Sequence, residues 1–105
     1  MPDFIFVYHG GKAPESEAEQ KDAMARWGAW MGTNGPALKD PGNPVGMSKT
    51  VSASGVSDNG GSNPASGYTI VSADDMDSAL EMAKSNPMVA DGGSVEVAEI
   101  YPIEM

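Results

Sequence analysis

Residues Phe4 to His9 read Phe-Ile-Phe-Val-Tyr-His, six bulky side chains in a row. Their aromatic and β-branched character predicts a strand. Alternation puts Phe4, Phe6 and Tyr8 on one face and Ile5, Val7 and His9 on the other. Both faces are apolar, so both need cover. Gly10-Gly11 ends the run. Ser16 with Glu19 three residues on is a capping-box signature. It predicts a helix to about Thr33, stopped by Asn34-Gly35-Pro36. On a helical wheel Gln20, Ala23, Met24, Trp27, Trp30 and Met31 fall within a stripe of roughly 120°, the expected buried side.

The middle of the chain is rich in turn residues. Leu38-Lys39 is a short strand candidate, broken by Asp40-Pro41-Gly42-Asn43-Pro44. Ser48 to Ser52 alternates weakly, as a strand would. Ser54 to Ser66 is turn chemistry throughout, and long for a hairpin connection. Regularity returns with a strand over Gly67 to Val71. A second helix is capped within Ser72 to Asp75, striped by Met76, Ala79, Leu80 and Ala83, and ended by Asn86-Pro87. After the Asp91-Gly92-Gly93 turn, Ser94 to Tyr101 predicts the last strand. Val95 and Val97 lie on one of its faces, Glu96, Ala98 and Ile100 on the other.

This order is the split β-α-β pattern of a ferredoxin-like α+β fold, βαββαβ. It implies a mostly antiparallel sheet with two helices on one face. The first strand's second apolar face is then open. A second copy of the chain is the simplest cover, giving a homodimer in which two sheets form a barrel.

A chain of 105 residues fits one domain, 1–105. It has no cysteine, which removes disulfides, thiolate metal sites and a cysteine nucleophile. Its single histidine removes a multi-histidine metal centre within one chain. Six Lys and Arg against fifteen Asp and Glu give a net charge of -9. Such a chain repels nucleic acid and anionic membrane, so neither is an expected partner. The N-terminus lacks a basic segment followed by an apolar one, and no apolar run nears the ~18 residues that span a bilayer. A cytoplasmic location is the resulting expectation. There is no phosphate-binding glycine loop and no calcium loop, so no cofactor and no metal is expected.

The candidate site residues each carry two readings. His9 titrates near neutrality, and is either a base at a cavity mouth or a strand-end histidine bonded to backbone. Trp27 and Trp30 are either core or the wall of a ligand pocket. Tyr68 opens a strand and either offers its phenol to a cavity or closes the core. Asp40, Asn43 and Ser48 suit turns for backbone reasons, or supply a carboxylate that orients His9 together with ligand-binding groups. Glu96 is an acid or base if its face is enclosed, and a surface charge otherwise.

Several segments together resemble the YCII-related (DGPF-domain) family. They are Phe4 to Gly11, Trp27-Gly28-Ala29-Trp30, Asp40 to Pro44, Asn63 to Val71, Asp74 to Pro87 and Gly92 to Ile100. The resemblance spans almost the whole chain and rests on the order of these pieces. It implies a dimeric α+β barrel. In some members of the family a His–Asp pair is proposed to work as acid and base, the histidine coming from the first helix. Here that helix has no histidine, and Asp58-Asn59-Gly60-Gly61 stands in roughly the region of the DGPF tetrapeptide. Asp40 matches the acidic position after the first helix. Two functions remain open. One is a cofactor-free enzyme that applies acid/base chemistry to a small organic molecule in a cavity, through His9 or a carboxylate. The other is a non-catalytic ligand-binding or accessory module of the same fold.

Overall fold

A computed structural model describes residues 1–11 and 14–103. The elements run β1 (Asp3–His9), α1 (Glu17–Thr33), a 3-10 turn (Gly35–Ala37), β2 (Leu38–Pro44), β3 (Thr50–Ser52), β4 (Gly55–Ser57), β5 (Ala65–Ser72), α2 (Met76–Lys84), α3 (Pro87–Ala90) and β6 (Ser94–Ile100). Four strands form one sheet in the order β2-β5-β1-β6. Every neighbouring pair in it is antiparallel. This is the ferredoxin-like α+β arrangement, with β3 and β4 set apart as a separate hairpin.

The central strand divides as its alternation requires. Phe4, Phe6 and Tyr8 are buried, while Ile5, Val7 and His9 are half-exposed on the other face. Phe4 and Phe6 lose all contact with solvent, a burial worth about 1.5–3 kcal/mol for each side chain. Val71 joins them from β5, Trp30 from α1, and Ala79 and Ala83 from α2. The small residues of α2 let that helix lie close to the sheet. Phe6 meets Trp30 at 6.3 Å, Trp30 meets Trp27 at 6.0 Å, and Trp27 meets Tyr8 edge-on at 5.3 Å between ring centres. Four aromatics thus interlock β1 with the second half of α1.

The helix caps follow the sequence. Ser16 Oγ accepts the Glu19 amide at 3.1 Å, and the Asp75 carboxylate accepts the Ser78 amide at 2.8 Å. Four expectations change. Asp40 to Pro44 does not break β2 but lies within it. The strand is at the sheet's edge, where proline needs no ladder donor, and its register slips on both sides of Asp40. Gly42 makes this possible: its φ is +78°, and a Cβ there would overlap the Tyr68 carbonyl oxygen. Next, the stretch from Ser54 to Ser66 is not turn throughout, since it holds β4 and the start of β5. A third helical turn, α3, follows Asn86-Pro87, because Asn86 caps it and Pro87 suits its first position. Last, the stripes of both helices are less buried than expected. Met24 is 74% exposed, and Met76 and Leu80 are also exposed.

Candidate functional site

The exposed part of the α1 stripe leads to the site. Toward its C-terminus the stripe enters the core through Trp30. Toward its N-terminus α1 stands off the sheet and leaves a cleft of about 850 Å³. Gln20, Ala23, Met24, Trp27 and Met31, all predicted as the helix's buried side, line that cleft. Opposite them lie Tyr8, Thr69 and the edge strand at Pro41 to Pro44. Gly10 and Gly11, with φ of +72° and +87°, turn the chain away at one end.

Beneath the cleft is a closed polar network. The Tyr8 hydroxyl donates to Thr69 Oγ1 at 2.7 Å, and Thr69 donates onward to the Pro41 carbonyl at 3.0 Å. Asn86 Nδ2 donates to the Tyr8 hydroxyl at 3.2 Å, while Asn86 Oδ1 accepts the Met88 amide at 2.9 Å. Tyr8, Thr69 and Asn86 each have partners within this network, which fixes the floor. Burial raises the Tyr8 phenol above its ordinary pKa, against the pull of its bonds to Thr69 and Asn86, so it stays neutral. At the rim Arg26 bridges two carboxylates. Its Nη1 lies 2.9 Å from Asp91 and its Nε 2.9 Å from Asp22 one turn away. This clamp ties α1 to the turn before β6.

A second, shallower cavity of about 530 Å³ adjoins the first. Ser48, Asn59, Ser62 and Asn63 give it a hydroxyl and amide lining. Gly10, Gly11 and Ser66 border both cavities.

His9 lies on the other face of the sheet. Its Nε2 is 3.0 Å from Glu96 Oε1, and its Nδ1 is 3.0 Å from the Asn63 carbonyl and 3.3 Å from that of Pro64. Both ring nitrogens therefore face acceptors, which favours the doubly protonated ring. The Glu96 bond raises the His9 pKa most; burial opposes it, and the two carbonyls add to the rise. His9 thus clasps the end of the long loop to β6.

The candidate residues separate accordingly. Trp27, Asn43 and Tyr68 border the cleft, and Ser48 borders the second cavity. Trp30 is 4% exposed, with its indole N–H on the Met82 carbonyl at 3.0 Å, and belongs to the core. His9, Glu96 and Asp40 border neither cavity. The carboxylate on His9 is that of Glu96. Asp40 instead accepts the Gly42 amide at 2.8 Å, closing its own turn. The sequence reading missed Tyr8, Arg26, Asp91 and Ser66. A tyrosine on a buried strand face must find polar partners, and that was the available signal for Tyr8. Nothing local marks the others. Among the described residues no group of three or more His, Asp or Glu is placed to hold a metal ion, and no helix is long and apolar enough to cross a membrane.

No family model matches the chain, and no curated protein matches it. Among solved structures, the chain is similar to the 5-chloro-2-hydroxyhydroquinone dehydrochlorinase TftG from Burkholderia phenoliruptrix AC1100, in complex with 2,5-dihydroxybenzoquinone. The TM-score is 0.53 and the identity 14%, over 96% of this chain and 95% of that one. At that identity the likeness is one of fold.

Proposed function

We propose that this chain is a YCII-related protein that takes a small, ring-bearing organic molecule into the cleft beneath α1 and applies acid–base chemistry to it. One observation carries the reading. Gln20, Ala23 and Met24, the N-terminal part of the α1 stripe, line a cleft of about 850 Å³, within the ~300–1,000 Å³ usual for small-molecule sites. Met24, Met31 and the edge of Trp27 offer adaptable apolar contact to a ring. At the rim, Asp22 and Asp91 are the proton acceptors, and Arg26 between them steadies developing negative charge. The dehydrochlorinase of the same fold supports a small-molecule enzyme as the class.

The quaternary form we propose is a homodimer joined through the open sheet face. Ile5, Ile70 and Ala98 form one cross-strand row on that face, each half-exposed in the single chain. A second copy would bury them and enclose the His9–Glu96 clasp.

Titration calorimetry with 2,5-dihydroxybenzoquinone tests the cleft. Saturable binding is expected, weakened at least about tenfold by Trp27→Ala, the cost of one lost apolar wall. No binding, or binding indifferent to Trp27→Ala, sinks the reading. Chloride release from 5-chloro-2-hydroxyhydroquinone, abolished by Asp91→Asn, supports catalysis. The alternative is a non-catalytic binding module. It is favoured by the engagement of both His9 nitrogens, and binding without turnover of any ring substrate would support it.

A further inference from the structure

Ser66 stands at an irregularity in the sheet. Tyr8 pairs with Gly67 and His9 pairs with Ala65, so Ser66 is the extra residue of a β-bulge. A bulge interrupts the alternation of side chains and re-aims one of them, and bulges gather beside active sites. The backbone of Ser66 is satisfied, since its carbonyl accepts the Val45 amide at 3.0 Å. Its side chain is not. Ser66 Oγ is buried and has no hydrogen-bond partner, alone in this among side-chain atoms of the described residues. The residue borders both the apolar cleft and the hydroxyl- and amide-lined cavity beside it.

A buried hydroxyl without a partner is destabilising, and native folds rarely keep one without a use. The neighbouring network makes the contrast plain: the polar side chains of Tyr8, Thr69 and Asn86, residues more completely buried than the half-buried Ser66, each have partners. We infer that Ser66 Oγ is the polar anchor of the ligand site, completed by an oxygen of the bound molecule. This rests on the cleft being the ligand site and specifies what the cleft selects. In the free chain the hydroxyl is sealed from solvent, so the anchor requires a turn about the Cα–Cβ bond that presents it to the bound oxygen. A serine hydroxyl both donates and accepts, so it serves a phenolic hydroxyl or a carbonyl. The ligand class is a ring with an oxygen substituent: the ring lies against Trp27 and the methionines, and the oxygen sits where the two cavities meet.

Two probes of one shape separate the contributions. p-Cresol and p-xylene differ by a hydroxyl in place of a methyl group, and the tryptophan emission reports the binding of either. The wild-type protein is expected to bind p-cresol more tightly. Ser66→Ala should weaken p-cresol about tenfold, the loss of one hydrogen bond between neutral groups, and leave p-xylene unchanged. The same variant should melt no lower than wild type, because it removes a hydroxyl that bonds to nothing in the free protein. A purely structural serine would give the reverse pattern, with a lower melting temperature and unaltered preference between probes. If both probes bind and Ser66→Ala changes neither, the anchor is overturned while the cleft stands. If neither probe binds the wild type, the cleft reading falls and the anchor with it.

Discussion

At His9, pH governs how firmly the long loop is held to the sheet. The imidazole pKa is raised in the folded chain, chiefly by Glu96. Protonation therefore favours folding. The stabilisation is fully present below the unfolded value of about 6.5, and is lost as pH rises through the higher folded value. Glu96 is 65% exposed, so the effect is modest and weakens with salt. The melting temperature of the wild type should exceed that of His9→Gln by more at about pH 5.5 than at about pH 8.5. Equal gaps at both would show that the clasp holds nothing. Glu96→Gln should flatten the pH dependence in the same way. His9 and Glu96 were both legible as titrating candidates, yet their pairing was not. It depends on Val7 lying opposite Glu96 and on the loop returning Asn63 beside the ring, and both are long-range facts. Asp40 was legible as an acid after the first helix, but its role is settled locally by the amide two residues on.

At the scale of the element, α1 behaves as two helices in one. Trp30 is structural, Gln20, Ala23 and Met24 are wall, and Trp27 and Met31 serve both. Trp30→Ala should cost about 3–5 kcal/mol, the usual penalty for emptying a large aromatic site, with the Met82 carbonyl losing its donor as well. Met24→Gln, on the same stripe, should cost under about 0.5 kcal/mol because that side chain is 74% exposed. Chemical denaturation of the two variants measures both. The stripe itself was readable from spacing, because 3.6-residue periodicity marks any helix face that avoids water. Spacing does not say whether that face meets a sheet or a ligand. The same holds for β2. Asp-Pro-Gly-Asn-Pro signals a break, and only an edge position lets the chain carry two prolines and continue pairing. The bounds of β1, α2 and β6 were legible almost to the residue, and in β1 and β6 the alternation also matches the burial, whereas on α2 only Ala79 and Ala83 of the stripe are buried.

For the whole molecule, the question is what lies against the open face of the sheet. With helices on one side only, Ile5 and Ile70 stay half-exposed at the centre of the other. The dimer proposed above predicts sedimentation at twice the chain mass. Ile70→Lys should convert the protein to single chains with unchanged far-ultraviolet dichroism, because a charge facing its own symmetry mate is costly while a lone chain leaves it wet. A wild-type protein sedimenting as one chain would remove that proposal and leave the cleft untouched.

The β3–β4 hairpin has a separate consequence. Each of its strand residues is exposed, Val51 at 78% and Val56 at 64%. Little of the fold's stability is invested there, and a two-stranded ribbon is marginal by itself. Proteases should nick this spot first, and the remainder should stay intact after the cut. It is also the natural port for grafting a reporter peptide: foreign residues spliced between Ser52 and Gly55 would hang clear of the scaffold.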